Sequence, residues 1–124
     1  MKYLIAVILA MLSLTAHADP FEGWTKEEKE WFALSEAVQI IDYQTTRDLL
    51  YAQKEKGYYE LNPIVGRNPS PSKLMAFEVG TLIGNYFFTD WLDHDSRMTW
   101  LKWHVGIELI VIQHNISIGA RIQF

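Results

Sequence analysis

Apolar or small side chains return at Trp31, Leu34, Val38, Ile41, Thr45, Leu49 and Ala52, the recurrence of an amphipathic helix with one buried stripe. Thr25 and Glu28 stand three apart ahead of this run, which is the spacing of a capping box: the hydroxyl takes an early helix amide and the carboxylate reaches back to the cap. The pattern predicts a helix over residues 25–56, closed by Lys54, Lys56 and Gly57, because cations suit a helix C-terminus and glycine its left-handed exit. Charged Glu27, Lys29, Glu30 and Lys54 fall on its outer surface. Residues 57–72 hold Pro63, Pro69 and Pro71 with two glycines, so neither a long helix nor a central strand runs through them and they form an ordered connector. Ser70 followed by Pro71 opens a second helix over residues 72–92. Asp93-His94-Asp95-Ser96 offers the N-cap of a third, over residues 96–114. The expected fold is all-α, a small three-helix bundle in a single domain over residues 19–124.

The second and third helices are apolar nearly all round. Residues 74–92 have the length of a membrane span, and residues 105–112 are apolar behind Trp100 and Trp103, so the pair is a candidate membrane hairpin. Against insertion, Glu78, Asn85 and Asp90 lie in one helix and Lys102, His104 and Glu108 in the other, and each mid-span charge costs roughly 2.5–3.5 kcal/mol. The turn, with Asp93 and Asp95, also lacks the basic residues of a cytoplasmic loop. The reading favoured is a membrane-embedded or membrane-associated helical protein, with a soluble exported bundle as the alternative. The ending Ile116, Ile118, Ala120, Ile122, Phe124 alternates with polar or small residues like the last strand of an outer-membrane barrel. Residues 25–56 and 72–112 keep helical period instead, which leaves the tail as a frayed helix end or a short extended segment.

Composition alters this picture in two places. The 49% apolar fraction includes Lys2, an uncharged run over residues 3–15 and Ala16-His17-Ala18, the layout of a secretory signal cleaved after Ala18. This predicts an exported mature chain, in the inner membrane or periplasm, with the outer membrane less favoured. The formal charge of -4 falls to -5 without Lys2, unsuited to binding nucleic acid phosphates. The absence of cysteine removes disulfides, thiolate metal sites, thiol nucleophiles and lipoprotein anchoring.

The polar residues inside these apolar helices carry any chemistry. Asp42, Thr45 and Thr46 share a face of the first helix, and Arg47 adjoins them. The connector supplies Glu60 and Asn62, the second helix Glu78 and Asn85 seven apart, and the third His104 and Glu108 at i and i+4 with Asn115 beyond, so acids and amides converge on one interior. The main reading is a buried polar network that fixes helix register, with Glu60 and Asn62 capping helix ends and Asp42 accepting from the threonines. The others are a metal held by His104, Glu108 and Glu78 or Asp42, and acid–base catalysis by Glu108 and His104. His94 reads as a loop residue and His114 as a helix-end residue. The chain carries no hydrolase elbow, P-loop, dinucleotide fingerprint, H-E-x-x-H or EF-hand loop, so no cofactor is implied. Gly80 and Gly84 stand four apart, with Gly106 as a counterpart, a spacing that lets helices approach closely within the chain or between two copies.

Three segments taken together, Asp42-Tyr43-Gln44-Thr45-Thr46-Arg47, Glu60-Leu61-Asn62-Pro63-Ile64-Val65-Gly66-Arg67-Asn68-Pro69-Ser70, and Asn115-Ile116-Ser117-Ile118-Gly119 following Glu108, resemble a group of short signal-peptide-bearing envelope proteins of tailed phages and prophages of Gram-negative bacteria. The first segment departs from the group's D-x-Q-T-R pattern by one extra residue, while the second matches its E-x-N-P-I-x-G-x-x-P-S pattern. The resemblance implies a non-enzymatic protein that modifies the host envelope, by superinfection exclusion or as a lysis accessory, with the cell-envelope membrane or an envelope protein as partner. The alternatives are a small membrane-associated metal-dependent hydrolase centred on Asp42, Glu60, His104 and Glu108, and a purely structural envelope assembly module.

Overall fold

The computed structural model describes residues 19–123, and the leader expected over residues 1–18 lies outside them. Three α-helices form the bundle: α1 over Lys26–Arg47, α2 over Pro71–Trp91 and α3 over His94–Ser117. Each begins at a side-chain cap. The Thr25 hydroxyl accepts from the Glu28 amide at 3.2 Å and Glu28 Oε2 accepts from the Thr25 amide at 2.6 Å, completing the capping box. Ser70 accepts from the Lys73 amide with Pro71 in the first turn, and Asp93 accepts from the Ser96 amide at 2.8 Å.

The first helix does not continue to residue 56 as an α-helix. After Arg47 the chain widens into a π turn over Asp48–Ala52, then tightens into a 3₁₀ turn over Lys54–Lys56 and leaves through Gly57 at φ 74°. The widening has a local cause: the Gln53 amide donates to the Asp48 carbonyl at 3.0 Å, and the Gln53 side chain donates to the Asp48 carboxylate at 2.6 Å. One i→i+5 bond with its own side-chain clasp replaces an α turn.

The buried face of α1 is also rotated from the expected stripe. Leu34 is exposed and Trp31 half-exposed, whereas Glu28, Ser35, Gln39 and Thr45 are buried beside Val38. The inward side of α1 is therefore polar along much of its length. Apolar packing is split in two: Val38, Val105 and Ile112 join α1 to α3, and Tyr43, Leu50, Val65 and Leu74 bring the end of α1 to the connector and α2. An aromatic knot of Phe21, Trp24, Phe32 and Tyr86, mostly edge to face, seals the end where α1 begins. The Tyr86 hydroxyl donates to the Pro20 carbonyl and Trp24 Nε1 to Asp90 at 2.8 Å.

Among the described residues no helix is long and apolar enough to cross a membrane, which corrects the hairpin. The physical reason is the set of polar groups facing inward from both candidate spans, Glu78, Asn85 and Thr89 on α2 and Arg97 and Asn115 on α3. The tail forms no strand among the described residues: Gly119 turns the chain at φ 111° and the Ala120 amide returns to the Asn115 carbonyl at 2.9 Å.

Candidate functional site

The polar seam between the helices has three levels. At the first, Glu28 is fully buried and its Oε1 meets Arg97 Nη1 at 3.1 Å and His94 Nδ1 at 2.9 Å. The rest of the guanidinium donates to the carbonyls of Thr89, Asp90 and Leu92 at 2.9, 3.2 and 2.9 Å, which satisfies the open C-terminal end of α2. Its plane also lies 4.7 Å from the Trp24 ring centroid. Burial alone raises the Glu28 pKa, but the Thr25 amide, His94 and Arg97 outweigh it and hold the carboxyl below its ordinary value. His94 is thus the first residue of α3 and a partner of Glu28 rather than a loop residue.

At the second level Asn85 is the hub. Its amide donates to Ser35 Oγ at 3.2 Å and Glu36 at 2.7 Å, while its carbonyl oxygen accepts from Trp100 Nε1 at 2.8 Å. Burial raises the Glu36 pKa to about 7, against the opposing effects of Asn85 and His104. Gln39 donates to Thr81 Oγ1 at 2.6 Å just beyond.

The third level gathers the residues singled out from sequence. Asn115 Nδ2 lies 3.2 Å from Asp42 Oδ1, 3.0 Å from Thr45 Oγ1 and 3.2 Å from Thr46 Oγ1. Thr46 donates to Asp42 Oδ1, but Thr45 donates to the Asp42 backbone carbonyl instead of its carboxylate. Glu78 approaches from α2, and Glu108 from α3 with His104 Nε2 at 3.4 Å from its Oε1. The Asp42 pKa rises to about 7 through burial first, then through the charges of Glu108 and Glu60. Glu78 rises to about 8, again from burial first, with Asp42, Glu108 and Glu36 adding to it against a hydrogen bond from Gln39. Glu78 Oε1, His104 Nδ1 and Glu108 Oε2 are buried without a hydrogen-bond partner, which sets this level apart from the two above it.

Glu60 and Asn62 do not cap helices. Glu60 Oε1 accepts from the Asn62 amide at 2.8 Å and Asn62 Oδ1 from the Ile64 amide at 3.0 Å, while the Glu60 amide closes the loop on the Arg67 carbonyl at 2.9 Å. The connector is a self-clasped loop pinned by buried Val65 and by Tyr51, whose hydroxyl donates to the Pro69 carbonyl. This loop walls one side of a cavity of about 430 Å³ that Asp42, Glu60, Asn62, Glu78 and Asn115 line.

The structure thus brings Asp42, Thr45 and Thr46 within hydrogen-bonding distance of the Asn115 amide and places Glu78 and Glu60 at the same cavity. His104 and Glu108 pair with each other about two to three turns before Asn115 on α3. Among the described residues no three His, Asp or Glu side chains converge closely enough to hold a metal ion, so the proposed His104, Glu108 and carboxylate set does not form. A Cβ on Gly80, Gly84 or Gly106 would meet nothing within 4 Å, so these glycines do not bring α2 and α3 together within the chain. Sequence reasoning missed Glu28 and Arg97 as a buried pair, and Ser35 and Gln39 as inward residues. The spacing of Ser35, Gln39, Asp42 and Thr46 by four, three and four is the signal that marks them as one helix face. Comparison of the chain with family models, curated proteins and solved structures finds no match.

Proposed function

We propose that this is a small exported envelope protein of phage or prophage type that works without catalysis, its outer face resting in the membrane–water interface while it alters the host envelope against a second phage or in support of lysis. The observation that carries this reading is an inversion of polarity. Inside, Glu28, Ser35 and Thr45 are 0% exposed; outside, Trp91 is 79%, Ile110 68%, Trp103 67% and Phe87 64% exposed. Contiguous exposed apolar surface of this kind marks a contact with something apolar.

Two stripes build that surface. Gly80, Gly84, Phe87 and Trp91 recur along one side of α2, and Trp103, Ile107 and Ile110 along one side of α3, as successive helical turns require. Phe88 links the stripes near the α2–α3 turn: its ring centroid lies 6.1 Å from that of Trp91 and 4.9 Å from that of Trp100, and it shares one open hollow with Trp103 and Ile107. Tryptophan clustered at one end of an apolar face suits the headgroup level of a bilayer. The negative net charge of the chain makes attraction to anionic lipid a minor contribution, so apolar burial drives the association. Resemblance of the Asp42 to Arg47 and Glu60 to Ser70 segments to phage-borne envelope proteins supplies the biological setting.

The test has two arms. Purified protein is floated with phosphatidylethanolamine–phosphatidylglycerol vesicles; co-flotation that survives added salt and is lost in a Trp103→Asp, Ile110→Asp variant with unchanged helicity is the expected result. Production in a susceptible host is expected to change phage adsorption, DNA injection or the timing of lysis. No change in any of the three sinks the biological reading, and no flotation sinks the membrane one.

A further inference from the structure

The acidic cavity at the third level of the seam asks for an occupant, and it does so irrespective of what the outer face contacts. We infer that this cavity binds a small organic ammonium group carried on a short apolar stem. Its volume of about 430 Å³ lies within the range of small-molecule sites. Asp42 from α1, Glu60 from the connector and Glu78 from α2 all line it, and among the described residues no lysine or arginine does.

Acids alone would not make a site, but Glu78 adds an independent observation. Its side chain lines the cavity, the residue is 7% exposed, and its Oε1 has no hydrogen-bond partner. Two neighbouring donors are engaged elsewhere: the Asn115 amide serves Asp42, Thr45 and Thr46, and the Tyr58 hydroxyl donates to the Ile118 carbonyl. An unmet buried acceptor costs free energy that a donor entering the cavity recovers. A neutral donor would satisfy Oε1 but leave the acids without a counter-charge, whereas an ammonium brings three N–H donors and a positive charge that favours their ionised forms. A metal ion needs converging ligands, which the described residues do not offer; an ammonium accepts a looser mixture of carboxylate, amide and ring. Tyr43 supplies an aromatic wall, which favours a cation over a neutral head, while the Tyr59 ring at the rim already carries the Arg67 guanidinium, 4.2 Å from its centroid. Leu50, Val65 and Leu74 supply the apolar floor against which a short alkyl stem packs.

Protonation is linked to occupancy. The groups that face the cavity or its acids are Glu36, Asp42 and, beside Tyr43, Arg47 from α1, Glu60 and, stacked on Tyr59, Arg67 from the connector, Glu78 from α2, and His104, Glu108 and His114 from α3. Burial leaves Asp42 and Glu78 holding protons near neutrality, and an arriving ammonium favours their ionised forms, so binding releases protons and tightens as pH rises.

The experiment is calorimetric titration of the purified protein with n-butylammonium chloride, with sodium chloride and n-butanol as the charge-only and stem-only controls. Saturable binding by butylammonium alone is expected, with proton release and with an affinity that increases between about pH 6 and about pH 8. Glu78→Gln should weaken it by about tenfold or more, which is about 1.4 kcal/mol. Glu60→Gln, on the connector outside the helical core, should weaken it as well and serves if the Glu78 variant fails to fold. Equal heats from either control, no saturation, or unchanged affinity in a folded Glu78 or Glu60 variant overturns the inference. Vesicle flotation is unaffected by any of these outcomes, so the two readings fail separately.

Discussion

The two ends of the polar seam bury similar chemistry and treat it in opposite ways. At the Trp24 end a carboxylate is met by a guanidinium, an imidazole and a backbone amide, and the guanidinium spends its remaining donors on three carbonyls. At the connector end Asp42, Glu78 and Glu108 face one another, and Glu78 and Glu108 each keep an oxygen without a partner. A buried ion whose partners are complete holds structure together, because removing one partner leaves an uncompensated charge. A buried acid whose partners are incomplete weakens the fold at the pH where it ionises, and that deficit is what a ligand can relieve. The lesson is that burial of charge does not identify function; incomplete satisfaction beside a cavity does.

The comparison can be broken most directly at Arg97. Arg97→Met strands Glu28 and three carbonyls, and should cost about 3–5 kcal/mol in urea unfolding; a loss no larger than that caused by Glu78→Gln would show that the two ends are alike. The next effect is pH. Glu36, Asp42 and Glu78 have raised folded-state values, about 7, 7 and 8, so the native state holds protons that the unfolded chain has released. Their stabilisation is complete below the ordinary carboxyl range and disappears as pH rises through 7 to 8. Glu28 runs the other way: its lowered pKa gives stability above the ordinary value, 4.5, that is lost as pH falls through the lowered one. Thermal melts should therefore peak on the acid side of neutrality, and Glu78→Gln should flatten the alkaline limb by about 2 kcal/mol while leaving the acid limb alone.

Asn115→Ala sharpens the connector end. It removes the amide shared by Asp42, Thr45 and Thr46 and should cost about 1–2 kcal/mol; in a double-mutant cycle with Asp42→Asn the two losses should not add. The smallest effect contrasts the seam with the outside. Gly84→Ala places a methyl in open space on α2 and should stabilise the isolated protein by about 0.5–1 kcal/mol. A loss of self-association in analytical ultracentrifugation, on the same substitution, would instead assign Gly80 and Gly84 to contact between copies.

Much of the architecture was legible because it is written locally. Thr25 with Glu28 and Ser70 with Pro71 each announce a helix start within four residues and act as caps, and the acidic link of residues 93–96 announces the third, which is capped by Asp93 and begins at His94, two residues ahead of the expected start. Asp42, Thr45 and Thr46 were legible as a cluster for the same reason, since helical spacing alone puts them together. The Glu28–Arg97 pair was not, because its members lie 69 residues apart and each has an ordinary local explanation, a capping acid and a helix-starting cation. Rotation of α1 escaped notice because the 3.6-residue pattern treats Ser35 and Gln39 as surface, whereas Asn85 and Thr81 on α2 make them inward residues. The π turn escaped it as well: a propensity argument has no way to see that Gln53 will clasp Asp48 and that the Arg121 amide will donate to the same carboxylate.

That last tie has a kinetic consequence. Asp48 to Arg121 and Asp42 to Asn115 each close 73 residues, Glu28 to Arg97 closes 69 and Gln53 to Gly119 closes 66. The polar side of α1 is thus answered in large part by α3 and the turn after it. Such non-local closure slows folding relative to a bundle built of neighbouring hairpins. A chain folded only as far as the end of α2 leaves Glu28, Asp42 and Asp48 without Arg97, Asn115 and the Arg121 amide, and its polar seam closes only when α3 docks.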